Sequence, residues 1–152
     1  DSMEGISMRE ILFRAKRADN GEWVEGYYIY HIKRTICPIG DSVKPEDEQH
    51  VIMQDGFSDW NMPRNTVFFN IDPENVCQYT GLKDKNGKRI WENDIVSGYF
   101  NHKKITGFIK YGSNAVYYIE REGSYGIHLD NSEDWLEVIG NIFDNPELLK
   151  GE

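Results

Sequence analysis

The segment VCQYTGLKDKNGKRIWENDIV, residues 76–96, decides the fold that this sequence predicts. It opens with an apolar strand at residues 76–79 and continues into a lysine-rich turn around Asn86 and Gly87. Asn and Gly tolerate the positive φ that a tight hairpin turn requires. Asp94 then leads a second apolar run. The segment therefore predicts a β-hairpin that feeds a further strand, and none of its residues has an obvious catalytic role.

Period-two alternation and turn residues continue from there to the end of the chain. Strands are predicted at residues 94–100, 103–111, 116–121, 124–129 and 137–143. Five short strands at close spacing are typical of a small SH3-like curled sheet or barrel. Helix is scarce, since single turns are predicted only at residues 132–135, with Ser132 as N-cap, and at residues 146–150.

The first part of the chain also has the pattern of strands. Residues 8–17 alternate between two faces, an Asp-Asn-Gly turn follows, and residues 23–30 form the predicted return strand. Shorter strands at residues 51–53 and 66–71 flank residues 54–64, an irregular segment that we expect to be an exposed loop. The pattern therefore predicts an N-terminal β-hairpin region.

The predicted fold class is mostly β, either all-β or a β-rich α+β fold. The 152 residues, of which 39% are hydrophobic, suffice for a real core. We expect an N-terminal β region at residues 8–72 and a C-terminal barrel-like region with a short helical tail at residues 76–152, or one continuous domain made of both. Residues 1–7 are expected to be a remnant of cloning or a disordered start.

Charge is distributed unevenly along the chain. The net charge of -9 disfavours a protein that binds bulk duplex DNA, because such binding depends on phosphate neutralisation by Lys and Arg. Residues 1–79 carry a net charge of -6, residues 80–110 carry +4, and residues 111–152 carry -7. The only basic island thus coincides with the hairpin segment and the strand after it.

Cysteine usage and hydropathy indicate the compartment. Cys37 and Cys77 lie in apolar surroundings and are predicted to be buried thiols, with a disulfide as the alternative. Sparse cysteine without a recognisable leader indicates a reducing environment. No apolar run approaches the roughly 18 residues that span a bilayer. We therefore expect a cytoplasmic protein without membrane contact.

The basic island supplies the main candidate binding residues. If its turn folds beside the turn that follows Phe100, cationic and aromatic side chains would form one basic rim. The basic rim consists of Lys83, Lys85, Lys88, Arg89, Lys103 and Lys104, with Trp91, Tyr99 and Phe100 close by. Such a surface suits a single-stranded nucleic acid or an acidic protein partner. The alternative is that these lysines only keep the turns soluble and discourage edge pairing.

Trp60, in the irregular segment, is a second candidate contact residue. Rigid aromatic side chains concentrate binding energy at interfaces, and binding residues are often carried on loops. The alternative is that Phe57 and Trp60 fold back and cover the core.

No residue pattern indicates a catalytic, metal or cofactor site. Asp94 is expected to cap backbone groups rather than act as a catalytic acid. The acidic clusters at residues 46–48 and 133–134 lack the alternating ligand loop of a calcium site. No two histidines have the short spacing typical of metal sites; the four are His31, His50, His102 and His128. We therefore expect no bound metal or cofactor, and lean against an enzyme.

Three segments together resemble the YopX family of phage and prophage proteins. They are MREILFRA at residues 8–15, QYTGLKDKNGKRIWENDIV at residues 78–96 and VIGNIFDNPELL at residues 138–149. The resemblance implies a mostly-β fold and a phage or prophage origin in a bacterial host, and it brings no catalytic residues to transfer. Asn93 stands where the family pattern usually has Gly, a mild departure because Asn also tolerates a left-handed turn.

Three functions follow as hypotheses. The leading one is a non-catalytic phage or prophage accessory protein that binds a host or phage macromolecule through its loops, and we expect this partner to be a protein, with nucleic acid as the alternative. The second is a barrel that binds single-stranded nucleic acid along the basic rim at residues 83–104. The third is an enzyme whose site assembles only in three dimensions. The sequence does not define the oligomeric state.

Overall fold

The computed structural model describes residues 9–56 and 58–150 of the chain. The predictions for residues 1–7, for a strand start at Met8 and for the packing of Phe57 lie outside the described residues. Eleven strands form within the described ranges: β1 (Phe13–Lys16), β2 (Trp23–Ile32), β3 (Glu48–Asp55), β4 (Thr66–Asn70), β5 (Cys77–Lys83), β6 (Arg89–Trp91), β7 (Asp94–Phe100), β8 (Lys103–Tyr111), β9 (Tyr117–Glu120), β10 (Ile127–His128) and β11 (Glu137–Asn141).

Helix is confined to short turns in the described part of the chain. One turn of α-helix, α1, spans Ser132–Trp135, and 3-10 turns span Pro45–Asp47, Pro73–Asn75 and Pro146–Leu149. The prediction of a mostly-β fold with little helix is therefore confirmed.

The chain divides into two compact units. Leu12–Val76 forms the N-terminal unit, and the described residues before and after it form the C-terminal unit.

Strands β1 to β4 of the N-terminal unit pair antiparallel in the order β4-β3-β2-β1. The predicted hairpin is present, since β1 pairs with β2 and Gly21 in the connecting turn has a φ of 73°. Ala15, on the apolar face predicted from the alternation, is fully buried with Ile52 and Ile71. The hairpin prediction is confirmed, although residues 9–12 form no strand and β1 begins at Phe13.

A long loop between β2 and β3 is organised by one arginine. The Arg34 guanidinium contacts both Asp41 oxygens, at 2.8 and 3.1 Å, and its Nε donates to Asp47 at 2.8 Å. These carboxylates in turn accept backbone N–H groups of the loop. Hydrogen bonding to Arg34 is the main reason that the pKa values of Asp41 and Asp47 lie below their ordinary value.

In the C-terminal unit, β5 and β6 form a hairpin, and the other strands form a five-stranded antiparallel sheet in the order β10-β9-β8-β7-β11. Its core holds apolar side chains from β6 to β11 and from the connections between them. They are Ile90, Val96, Ile105, Ile109, Ile119, Ile127, Leu129, Leu136 and Val138. The alternating burial along β8, with Ile105, Gly107 and Ile109 inward, follows the period-two pattern of its sequence.

Two local predictions need correction. Ser132 lies inside α1, and Asn131 is the N-cap residue. The Ser132 hydroxyl does not cap the helix but donates to the Lys83 carbonyl at 2.9 Å. Cys37 is exposed in the long loop, so only Cys77 fits the prediction of a buried thiol, and no disulfide joins the two cysteines.

Candidate binding groove

The β7–β8 hairpin carries four of the predicted site residues at its tip. Asn101 and His102 form the two-residue turn with φ values of 52° and 66°. Two successive positive φ angles are the geometry of a type I′ turn, whose twist matches that of paired strands. The turn sets Phe100 opposite Lys103 and Tyr99 opposite Lys104. Two of the predicted aromatics therefore lie beside two of the predicted lysines.

Tyr99 and Phe100 open onto a groove of about 550 Å³, which we call the aromatic groove. Its other walls come from the β9–β10 connection, from β10 and from α1. Besides Tyr99 and Phe100, the groove is lined by Asn101, Arg121, Tyr125, Gly126, Ile127, His128, Asp130, Asn131 and Trp135. Tyr99 is 71% exposed and Tyr125 is 93% exposed, so both rings are free to contact another molecule.

Trp135 is held in a fixed position at this groove. Its indole Nε1–H donates to the Asp130 carbonyl at 3.0 Å, and its ring lies 5.7 Å from the ring of Phe100. Gly98 lets it approach β7, because a Cβ there would lie 2.5 Å from the Trp135 carbonyl oxygen and 2.8 Å from its ring. A side chain at Gly98 would therefore displace Trp135.

The wall that carries Tyr125 is fixed by Arg121 and Gly126. The Arg121 guanidinium donates to the Tyr125 carbonyl at 3.1 Å. Gly126 lies so close to Tyr118 that a Cβ would meet that ring at 2.5 Å. The exposed ring of Tyr125 thus projects from a backbone that is tied to its neighbours.

The charges in the groove are of both signs. Arg121 and His128 line it together with Asp130. A smaller neighbouring concave surface carries Lys85, Lys104 and Glu137, and the Lys85 ammonium lies 3.9 Å from the Glu137 carboxylate. The surface is therefore mixed in charge and is not a continuous cationic track.

The structure brings the predicted basic rim together only in part. Lys85, Lys104 and Tyr99 share the smaller concave surface. Arg89 pairs with Glu10 at 2.9 Å, so its charge is already compensated. Lys83 and Lys88 are exposed on the β5–β6 hairpin, where they do not line either concave surface.

Trp91 was predicted to be a contact residue of the basic rim, but the structure places it in the core. It is only 3% exposed, and its ring lies 5.4 Å from that of Tyr79. The strand β6 is three residues long and buries both Ile90 and Trp91, so neither side of it faces solvent. The ring of Trp91 is therefore not available for stacking on a ligand.

Asp84 holds the hairpin that carries Lys85, and it is almost fully buried. Its Oδ1 accepts the N–H groups of Asn86 and Lys88, each at 2.9 Å, and its Oδ2 accepts that of Val138 at 2.9 Å. Burial by itself raises the pKa of Asp84, but these three hydrogen bonds and the nearby charge of Lys88 outweigh burial, so the pKa lies below its ordinary value. The carboxylate thus ties the Asn-Gly turn to β11.

Asp94 has the predicted structural role. Its carboxylate accepts the Trp91 N–H at 2.8 Å and is buried. Asn93 before it has a φ of 71°, which explains how Asn can stand where the family pattern usually has Gly.

Trp60 lies in the N-terminal unit, in the loop between β3 and β4. It is 93% exposed, which excludes the alternative that its side chain covers the core.

Residues 9–56 and 58–150 contain no group of three or more His, Cys, Asp or Glu side chains that could hold a metal ion. No helix in these ranges is both long and apolar enough to cross a membrane.

Sequence reasoning missed Arg121, Tyr125, His128 and Trp135 as groove residues. The available signal was Tyr125, an aromatic residue between Gly123 and Gly126 in a turn, where an exposed ring is expected. The meeting of this turn with Trp135 and the β7–β8 tip depends on the sheet order, which local patterns do not define.

Comparison with known proteins gives a family and a fold. A family model described as YopX protein matches residues 12–150. The crystal structure of protein EF1440 from Enterococcus faecalis is similar, with a TM-score of 0.50 and 23% sequence identity, over 93% of this chain and 99% of that chain. At this level of identity the likeness shows the fold alone. No curated protein sequence matches the chain.

Proposed function

The chain belongs to the YopX family, and from this premise we propose that it is a non-catalytic phage or prophage accessory protein that binds a partner protein in the bacterial cytoplasm. The occupant of the aromatic groove is an extended segment of that partner, which inserts an apolar or aromatic side chain. The observation that carries the proposal is the pair of exposed rings, Tyr99 and Tyr125, at a groove where Trp135 is fixed.

The composition of the groove suits a protein segment. Tyr, Trp and Arg are the residues that most often dominate binding energy at protein interfaces, and all three line this groove. The hydrogen bonds of Trp135 and Arg121 hold two walls in place before binding, which lowers the entropy that a partner must overcome. A volume of about 550 Å³ accommodates several side chains.

The charge of the groove favours a protein over a nucleic acid. A phosphate backbone needs a row of uncompensated cations, and its affinity falls steeply with salt when it finds them. Here Asp130 lies in the groove with Arg121, and Lys85 lies beside Glu137. Mixed charge instead matches the polar rim of a protein interface.

The nucleic-acid hypothesis keeps one supporting observation, the Lys103 and Lys104 pair beside Tyr99 and Phe100 at the hairpin tip. Titration with a single-stranded oligonucleotide, alongside the peptides, therefore distinguishes this function from the binding of a protein segment.

The test is a peptide selection with matched variants. A random displayed-peptide library is panned against the protein, and the selected peptides are titrated against wild type, Tyr99→Ser, Tyr125→Ser and Tyr111→Ser. Tyr111 is the control because it is half-exposed at the other end of β8 and does not line the groove. Loss of a central aromatic side chain is expected to weaken binding about tenfold or more for the two groove variants.

Two results would overturn the proposal. One is a set of peptides that bind Tyr99→Ser and Tyr125→Ser as tightly as wild type. The other is tight binding of a single-stranded oligonucleotide at low salt that Lys103→Glu with Lys104→Glu abolishes, which would instead establish the nucleic-acid function.

A further inference from the structure

Arg121 forms part of the wall of the aromatic groove. Within residues 9–56 and 58–150 it has no ion pair, and its hydrogen bond goes from Nη2 to the Tyr125 carbonyl at 3.1 Å. Other arginines do pair with an Asp or Glu side chain; they are Arg17, Arg34, Arg64 and Arg89. The positive charge of Arg121 is therefore not compensated by a carboxylate of the described chain.

The nitrogens of the Arg121 guanidinium differ in their surroundings. Nε is the one that is both buried and without an acceptor among the described residues. Nη2 donates to the Tyr125 carbonyl. Nη1 has no acceptor in this part of the chain either, but it is not buried. Nη1 is therefore the nitrogen that a molecule in the groove can reach.

Arg121 is also held in place before anything binds. Its Nη2 is tied to the Tyr125 carbonyl, and its stem lies close to β8, since a Cβ at Gly107 would be 3.0 Å from the Arg121 Cγ. A fixed guanidinium loses less conformational entropy when it forms a further hydrogen bond. The side chain is thus prepared to donate from Nη1.

A partly buried cation without an acceptor is an unfavourable arrangement. Its donors have lost water and have gained no hydrogen bond in return. Nearly all buried donors in proteins have a partner, and an exception needs a physical explanation. An anion that binds Arg121 would remove part of this cost.

The other charged groups of the groove have less to gain from a ligand. Asp130 forms no ion pair in residues 9–56 and 58–150, but it is exposed, so water solvates its carboxylate. His128 is exposed as well. Ion pairs between solvated groups contribute little to binding. Arg121 is therefore the charged group that gains most from an oppositely charged ligand.

The negative charge around the groove acts mainly at long range. Residues 111–152 carry a net charge of -7. Exposed charges farther away than the Debye length of about 8 Å are largely screened at physiological ionic strength, whereas a partly buried pair is screened much less. The surrounding acids thus slow the approach of an acidic ligand but do not cancel a direct contact with Arg121.

We propose that Arg121 makes the aromatic groove specific for an acidic segment. An Asp or Glu of the bound segment accepts a hydrogen bond from Nη1 of Arg121, next to the apolar or aromatic side chain that enters the groove. This inference rests on the proposed function, whose partner it defines further. Guanidinium–carboxylate hydrogen bonds are about twice as strong as neutral ones. One such cation suits a single carboxylate and not a phosphate backbone, which needs a row of cations.

The experiment is a double-mutant cycle on the peptides that are selected with the displayed library. Each peptide is synthesised in its selected form and in an amide form, in which Asp is replaced by Asn or Glu by Gln. Both forms are titrated against wild type, Arg121→Gln and His128→Gln. His128→Gln is the matched control, because it removes the other basic side chain that lines the groove. Each variant is first shown to be folded by circular dichroism.

We expect the acidic form to bind wild type and His128→Gln about tenfold more tightly than the amide form, and the two forms to bind Arg121→Gln equally. If Arg121 only held the Tyr125 carbonyl, Arg121→Gln would weaken both forms by the same factor and leave the preference intact. Arg121→Lys provides a second variant, which keeps a positive charge and should keep part of the preference.

Two results would overturn this inference and leave the proposed function standing. One is a set of peptides that lose binding with Tyr99→Ser and Tyr125→Ser but contain no Asp or Glu. The other is a preference for the acidic form that Arg121→Gln preserves or that His128→Gln abolishes. Peptides that bind Tyr99→Ser and Tyr125→Ser as tightly as wild type would instead overturn the proposed function and this inference together.

Discussion

Replacing Asp84 by asparagine tests the role of the buried carboxylate in the segment of residues 76–96. An amide can accept the Asn86 and Lys88 N–H groups through its oxygen, but its NH2 then faces the N–H of Val138. The two remaining hydrogen bonds then go to a neutral oxygen and not to a charged one, which weakens each by about 1 kcal/mol. The amide NH2 and the Val138 N–H, which face each other without an acceptor, cost about 1–3 kcal/mol. Since burying an amide costs less than burying a carboxylate, we expect a net loss of about 2–4 kcal/mol.

The assay is urea unfolding at neutral pH, followed by fluorescence. A loss of this size is a large part of the roughly 5–15 kcal/mol by which natural domains are stable. Glu122→Gln is the control, because it removes the same charge from an exposed turn in the same unit and should change the free energy of unfolding by less than about 0.5 kcal/mol. If Asp84→Asn is as stable as Glu122→Gln, the carboxylate does not tie the turn to β11.

The pH dependence of the free energy of unfolding of wild type and Asp84→Asn gives a second check. The folded-state pKa of Asp84 lies below its ordinary value of 3.8. The contribution of the Asp84 carboxylate to the free energy of unfolding is therefore fully present above pH 3.8 and is lost as the pH falls through the lower folded-state pKa. The stability difference between wild type and Asp84→Asn should be constant near neutrality and shrink below about pH 4. A difference that persists unchanged in acid would refute the reasoning.

Three other outcomes follow from particular contacts. Gly98→Ala should destabilise the C-terminal unit by about 1–3 kcal/mol and shift the Trp135 fluorescence, because the new methyl group overlaps the Trp135 backbone and ring; an unchanged spectrum and stability would contradict this packing. Arg34→Lys should speed amide exchange at Cys37, Ser42 and Lys44, since lysine cannot hold Asp41 and Asp47 in the same fork geometry; exchange as slow as in wild type would show that the loop is held otherwise. Burial, aided by the charge of Glu92, raises the pKa of Tyr117 to about 12, so Tyr117→Phe should remove a late step from the ultraviolet titration of the folded protein; an unchanged late step would disprove the assignment.

The strands of the C-terminal sheet were predictable because their evidence is local. The alternation in residues 103–111 is that of a strand with one buried face, and β8 has these bounds. In the Asn-Gly turn Gly87 has a φ of 78°, and at the chain reversal Asn101 and His102 also have positive φ. By contrast, residues 9–12 alternate in sequence without joining a strand.

The candidate site was less predictable because its contacts are long-range. Asp84 lies among lysines and resembles a solvated turn residue, but one of its partners, Val138, is 54 positions away. Trp91 has strand composition, and only the packing of the short β6 places it in the core. The aromatic groove joins the β7–β8 tip to Tyr125 and Trp135, which are brought together by the sheet order.

The most direct measurement is a two-dimensional NMR titration of the four tryptophan indole N–H signals with a selected peptide. The account predicts that the Trp135 signal shifts and that those of Trp23, Trp60 and Trp91 stay in place, because only Trp135 lines the aromatic groove. A shift confined to the exposed Trp60 would place the binding surface on the loop before β4. That result would contradict the claim that this protein acts through its aromatic groove.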